Sequence, residues 1–230
     1  MKKIILVLFL FLLLYSCYII YNLTEDNNKY VTLIGDEIAN NPYFQNIDNL
    51  LKINKDFINK DYHISDLLDT IKYNKEIKIN NNEKSIHQVL KKTDILVLSI
   101  GMNDIYYKIN DNPKEIYSYL NNIINSYELL LKEISRYDYQ KVYILGYYNI
   151  DNKKNDIFNY INYKLLSLTK EYNYIFIDTN KILNNKDNYY QNNYNFSLNN
   201  KGYYEIYQLI VENLKKYWYN IKCIYYYDLY

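Results

Sequence analysis

Four short runs of apolar residues punctuate the chain: Lys29 to Gly35 (KYVTLIG), Asp94 to Gly101 (DILVLSIG), Lys141 to Gly146 (KVYILG) and Tyr174 to Asp178 (YIFID). Their apolar positions are nearly continuous rather than alternating, the pattern of parallel strands covered on both faces. Between the second and third runs, Ile116, Tyr119, Leu120, Ile123, Ile124, Tyr127, Leu130, Leu131 and Ile134 recur at steps of three and four. That spacing opens after Asn112-Pro113 and predicts a long amphipathic helix with proline at its first position. Ile157, Ile161, Leu165 and Leu168 mark a second helix, and Tyr203, Ile206, Tyr207, Ile210 and Leu214 a third. Lys55 to Asn59 reads as a weaker strand, followed by a helix through Leu67, Leu68 and Ile71. The alternation predicts an α/β domain, a parallel sheet of about five strands with right-handed crossovers and helices on both faces. Ligand sites in such sheets form at the carboxyl ends of the strands.

A different pattern opens the chain. Lys2 and Lys3 precede Ile4 to Tyr21, an 18-residue run interrupted only by Ser16. As a helix it would span about 27 Å, close to the hydrocarbon thickness of a bilayer. The lysines favour the cytoplasmic side, so the stretch after Asn22, with Glu25 and Asp26, begins the outside segment. The run is read as one uncleaved N-terminal membrane helix, because no small-x-small cleavage site follows it. Two other readings stand beside it. Leu14-Tyr15-Ser16-Cys17 resembles a bacterial lipobox with Cys17 as the lipidated residue, against which the bulk of Tyr15 counts, and the run could also be a buried core helix. The organisation expected is a signal anchor and short linker over 1–28, an α/β domain over 29–215 and an aromatic C-terminal tail over 216–230.

Composition narrows the function classes. The 27 basic and 26 acidic side chains give a net charge of +1, and the lysines are scattered with no basic stripe, so nucleic acid is not an expected partner. Two cysteines, Cys17 and Cys223, make no disulfide framework, and the two histidines, His63 and His87, make no zinc-type spacing. No metal or cofactor is expected. The 33 Tyr and 36 Asn, beside one Arg and one Ala, are the residue set favoured by AT-rich codons, so no aromatic cluster is read as functional on its own.

Three motifs sit at predicted strand ends: Gly35-Asp36-Glu37, Gly101-Met102-Asn103-Asp104, and Ser197-Leu198-Asn199-Asn200-Lys201-Gly202-Tyr203 leading into the last helix. In order and context they resemble the SGNH (GDSL) hydrolases, esterases and acyl hydrolases on a flavodoxin-like sheet, over about Lys29 to Leu214. The resemblance implies a serine nucleophile in Gly-Asp-Ser and an oxyanion site served by a Gly and by the Asn of Gly-x-Asn-Asp. It also implies a base and its orienting acid in an Asp-x-x-His pair before the last helix.

Taken residue by residue, the resemblance fails at the chemistry. Glu37 occupies the nucleophile position, Ser197 the base position, Tyr194 that of the orienting acid and Asp61 that of the oxyanion Gly; among the five, Asn103 alone is retained. No histidine follows His87, so no shift of register restores the base. Glu37 has no proton to lose at neutral pH, a serine hydroxyl cannot serve as a base there, and carboxylates at 37 or 61 would repel a developing oxyanion. Losing one triad member can cost on the order of 10⁶ in turnover, roughly 8 kcal/mol.

The expectation is therefore a catalytically inactive, membrane-anchored, extracytoplasmic protein of this fold, with Asn103, Glu37 and Ser197 left to bind a small ester or glycan ligand or to act in regulation. Two alternatives remain. One is an active esterase with exchanged roles, Ser197 attacking and Glu37 or His63 taking its proton. The other is an anchored scaffold whose surface, including the aromatic tail Tyr217 to Tyr230, meets a protein or the bilayer interface. Bland readings stand beside each: Asp36 and Glu37 as caps of a helix after the first strand, Asn103-Asp104 as a turn, Gly202 as a close-packing residue and His63 as a surface residue.

Overall fold

A computed structural model describes residues 29–36, 38, 41–43, 51–54, 62–79, 82–106, 108–109, 113–149, 154–184, 187–191 and 197–227. Five parallel strands form the sheet: β1 (Lys29–Gly35), β2 (Leu51–Asn54), β5 (Ile95–Ser99), β6 (Lys141–Leu145) and β7 (Ile175–Ile177), in the order β2-β1-β5-β6-β7. A separate antiparallel hairpin, β3 (Glu76–Ile79) with β4 (Asn82–Ser85), stands apart from it. Counted within the sheet the order is 2-1-3-4-5, the flavodoxin-like arrangement, whose switch point lies between β1 and β5.

The two strands at the switch point are the most apolar. Val31 pairs with Ile95 and the parallel register runs to Gly35 opposite Ser99. Val31, Leu33, Ile34 and every residue from Ile95 to Leu98 are buried, which is why these runs show no alternation. Thr32, equally buried, is satisfied through the Thr93 hydroxyl at 2.7 Å. The second strand is Leu51–Asn54, earlier than the expected 55–59, which lie outside the described residues. Pairing to β1 sets its place, with Lys29 opposite Leu51.

The connecting helices are α1 (Ile64–Lys72), α2 (Ile86–Lys91), α3 (Met102–Tyr106), α4 (Pro113–Ile134), α5 (Asn155–Glu171), α6 (Asn180–Leu183) and α7 (Asn200–Tyr227). In α4 the expected face is the buried one: Ile116, Leu120, Ile123, Tyr127, Leu130, Leu131 and Ile134 are inside, while Leu129 on the opposite side is exposed. A buried aliphatic side chain of this kind contributes roughly 1.5–3 kcal/mol. α4 packs against both α1 and α5, and the three form one layer. Right-handed crossovers send the two ends of the order in opposite senses, and α7 lies where the Tyr143 hydroxyl, rising from β6, donates to the Asn213 carbonyl at 3.3 Å. α7 continues to Tyr227, so its backbone crosses the expected boundary at 215. Among the described residues no helix is long and apolar enough to cross a membrane; the expected anchor, residues 4–21, lies outside them.

Candidate functional site

Close approach of two strand ends builds the floor of the site. Gly35 has φ of +153°, and a Cβ there would lie 1.5 Å from the Ser99 carbonyl oxygen, so only glycine lets β1 close onto β5. Asp36 follows, 1% exposed. Its N–H donates to the Ser99 carbonyl at 2.7 Å, its Oδ2 accepts from the Met102 N–H at 3.0 Å and its Oδ1 from the Ser99 hydroxyl at 3.3 Å. A buried carboxylate needs such donors, and the free N–H at the start of α3 supplies one. Asp36 thus caps α3, which begins beyond the neighbouring strand; most of the stretch that follows β1, where a capped helix was expected, lies outside the described residues.

Beyond Met102, consecutive side chains hold three consecutive residues of the segment entering α1. Asn103 Nδ2 donates to the Tyr62 carbonyl at 3.0 Å, Asp104 Oδ2 accepts from the Ile64 N–H at 3.1 Å, and Asp104 Oδ1 lies 3.4 Å from His63 Nδ1. Asn103 is 4% exposed, and one N–H of the amide expected to bind a ligand is engaged with backbone. Burial pushes the Asp104 carboxyl above its usual range, opposed by the Ile64 N–H and by the neighbouring His63. His63 is also the N-cap of α1, its N–H donating to Asp66 Oδ2 at 2.9 Å, while its ring is partly exposed.

Behind this clamp lies a buried polar layer. Gly101 has φ of +105°, and a Cβ there would meet the Tyr147 hydroxyl at 2.5 Å. Among the described residues, the buried hydroxyls of Tyr147 and Tyr127 have no hydrogen-bond partner. Burial, followed by Tyr127, Asp104 and Asp36, pushes the Tyr147 phenol far up, so it stays protonated. Asp36, Ile38, Ser99, Met102, Gly146 and Tyr147 are among the residues lining a partly open pocket of about 10 Å³, about the size of one water.

Ser197 enters from the other end of the chain. It is half-buried, and its carbonyl accepts from the Gln191 N–H at 3.0 Å, just before Leu198 bridges antiparallel to Tyr190. Asn199 caps α7: its Oδ1 accepts from the N–H groups of Lys201 and Gly202 at 2.9 and 3.1 Å, while Nδ2 donates to the carbonyls of Asn188 and Tyr190. A Cβ on Gly202 would lie 2.4 Å from the Tyr189 carbonyl oxygen, the close packing expected of it. Glu37, Asp61 and Tyr194 lie outside the described residues. Among the described residues no three His, Cys, Asp or Glu side chains are grouped to hold a metal ion.

Sequence reasoning missed three participants: Ser99, Asp104 as the partner of His63, and Asn199 as a cap. The last had a local signal, Asn three residues ahead of Gly202 at a helix start. The first two act across gaps of 63 and about 40 residues, for which spacing carries no signal.

The sequence matches no protein-family model and no curated protein. Solved structures match its fold. A catalytic mutant of an acetylxylan esterase from Geobacillus stearothermophilus aligns with a TM-score of 0.59 at 14% identity, over 80% of this chain and 93% of that one. A lipase from a goat rumen metagenome gives 0.59 at 16% identity over 80% and 97%. A lipolytic protein of the G-D-S-L family from Veillonella parvula gives 0.53 at 15% identity over 80% and 97%. The fold is therefore that of the SGNH/GDSL hydrolases, and at these identities the likeness is one of fold.

Proposed function

We propose that the chain is a membrane-anchored, extracytoplasmic SGNH-like protein that has lost serine-triad hydrolysis and keeps its strand-end site to recognise a small ester or glycan ligand. The fold neighbours act on acetylated xylan and lipids by name, which supports an ester-type ligand. One observation carries the loss of chemistry. Ahead of α7, where an ester hydrolase of this fold needs a titratable base, the chain has Ser197, and no histidine follows His87. A serine there cannot accept a proton at neutral pH, and without a base a hydroxyl nucleophile stays unactivated. The anchor rests on Ile4 to Tyr21 and its flanking charges.

The test is intact-mass analysis of the full chain quenched during incubation with a short-chain acyl ester. No acyl adduct on any serine is expected; an acylated serine would overturn the reading. The exchanged-role enzyme draws support from one observation, the Asp104 carboxylate beside the His63 ring, which supplies a base with an orienting acid away from the usual position.

A further inference from the structure

We propose that the C-terminal part of α7 lies in the bilayer interface as a second attachment beside the N-terminal anchor, so that the domain stands on the amino end of its sheet with the strand-end site facing away from the lipid. The inference rests on the anchor proposed above and commits the aromatic tail to lipid rather than to a protein partner.

The direction of α7 supports it. Near its start the Tyr203 carbonyl accepts from Asn41 Nδ2, on the segment that leaves the carboxyl end of β1. Further along, the Asn213 carbonyl accepts from the hydroxyl of Tyr143, the middle residue of β6. The helix therefore runs from the carboxyl ends of the strands toward their amino ends, and 14 residues follow Asn213 before it closes at Tyr227. Those residues rise about 21 Å, whereas only about 7 Å separate Tyr143 from the start of β6, so the helix outruns the sheet by about 14 Å. β1 begins at the same end, at Lys29, where the chain from the anchor enters. The seven residues Asn22 to Asn28 between them reach at most about 24 Å. That tether leaves room for the tail of α7 and little more, which holds the end of the helix close to the membrane surface.

The sequence of this stretch suits lipid. The buried stripe Tyr203, Ile206, Ile210 and Leu214 continues at steps of three and four through Trp218, Ile221 and Tyr225, past the level where the sheet ends. Five of the 11 residues from Tyr217 to Tyr227 are Tyr, and the single Trp of the chain is among them. Codon bias does not account for this: it raises Asn together with Tyr, yet the stretch has one Asn, and Trp, with its G-rich codon, is a residue such bias removes. Tyr and Trp rings favour the membrane interface, where an apolar body meets lipid and a polar edge meets water. From Lys215 to Tyr227 there are three lysines and no acid, a local positive charge that matches anionic headgroups. A stretch this polar does not cross a bilayer, which leaves the interface.

Two attachments at one end hold the sheet upright. β1 rises about 20 Å from Lys29 to Gly35, so Asp36 and Asn103 stand at the end of the domain remote from the lipid. A site placed there takes its ligand from the aqueous side, a glycan or a soluble ester, rather than an acyl chain of the bilayer.

The experiment uses the full chain in bilayer nanodiscs of equal phosphatidylcholine and phosphatidylglycerol, whose two faces are both open to the buffer. Trp218 is its own probe, since the chain has no other Trp. Lipids brominated near the headgroup end of their acyl chains should abolish most of its emission, and acrylamide in the buffer should quench little of it. Combining Trp218→Tyr with Tyr204→Trp moves the single Trp to an exposed position near the start of α7, where acrylamide should quench and the brominated lipid should not. Trp218 open to acrylamide, or shielded from both quenchers by packing on protein, would overturn the proposal, as would quenching of the Tyr204→Trp variant by brominated lipid. Retention of the chain on vesicles of the same lipids through an alkaline wash reads the anchor separately. A chain that washes off would overturn the anchor and this inference with it, whereas a retained chain with unquenched Trp218 overturns this inference alone.

Discussion

The carboxylate of Asp36, at the end of β1, accepts a hydrogen bond from the backbone N–H of Met102, 66 residues later, and so fastens the first strand to the helix that begins beyond its neighbour. The first two residues of the Gly-Asp motif therefore have a structural reason to persist whether or not a nucleophile follows them. Asp36→Ala should leave the Met102 N–H and the Ser99 hydroxyl buried without an acceptor and destabilise the fold by about 2 kcal/mol. Asp36→Asn, which keeps one carbonyl acceptor, should cost about half as much. Urea denaturation of the two variants reads this directly, and equal losses would show that hydrogen bonding at Asp36 is not the cause.

Gly101→Ala places a methyl group 2.5 Å from the Tyr147 hydroxyl at φ of +105°. Strain and overpacking together should destabilise by about 3 kcal/mol. Tyr147→Phe alone removes a buried hydroxyl that has no partner among the described residues and should be neutral or stabilising. In the Gly101→Ala background it should recover about 1 kcal/mol, because the nearest clashing atom is gone. A double-mutant cycle with no coupling would refute the contact.

Asp104 makes a signed prediction for pH. Burial raises its folded-state carboxyl above 3.8, so the native protein binds a proton more tightly than the unfolded chain does. Its contribution to stability is fully present below 3.8 and is lost as pH rises through the folded-state value. Asp104→Asn should remove that downward slope from the wild-type profile of unfolding free energy across acidic pH, and a variant profile that keeps the slope would assign it elsewhere.

Much of the fold was legible because the central strands are covered on both faces. Val31 to Ile34 and Ile95 to Leu98 have no exposed face, and a run without alternation has few other readings. Other strands were less legible: Leu51–Asn54 was not read, the expected strand at 55–59 lies outside the described residues, and the β3–β4 hairpin was missed, its first strand carrying Ile77 as a buried residue among exposed neighbours. At the site, the motifs marked the right strand ends while the partners did not follow from spacing. Asn103 reads as a donor toward a ligand, and the structure shows one of its amide N–H groups donating to the Tyr62 carbonyl, a partner 41 residues away that spacing did not indicate. Polar partners are chosen by where the sheet brings segments together, which sequence separation does not encode.

The central claim is that the architecture is an SGNH fold whose serine chemistry is absent for want of side chains. Its most direct test is covalent labelling by a serine-directed phosphonate probe, comparing the wild type with the combined Glu37→Ser, Asp61→Gly, Tyr194→Asp and Ser197→His variant. The wild type and each single substitution should stay unlabelled, because triad members act as a unit, and the combined variant should gain labelling at residue 37. Labelling of the wild type, or a folded combined variant that stays wholly unreactive, would contradict the account.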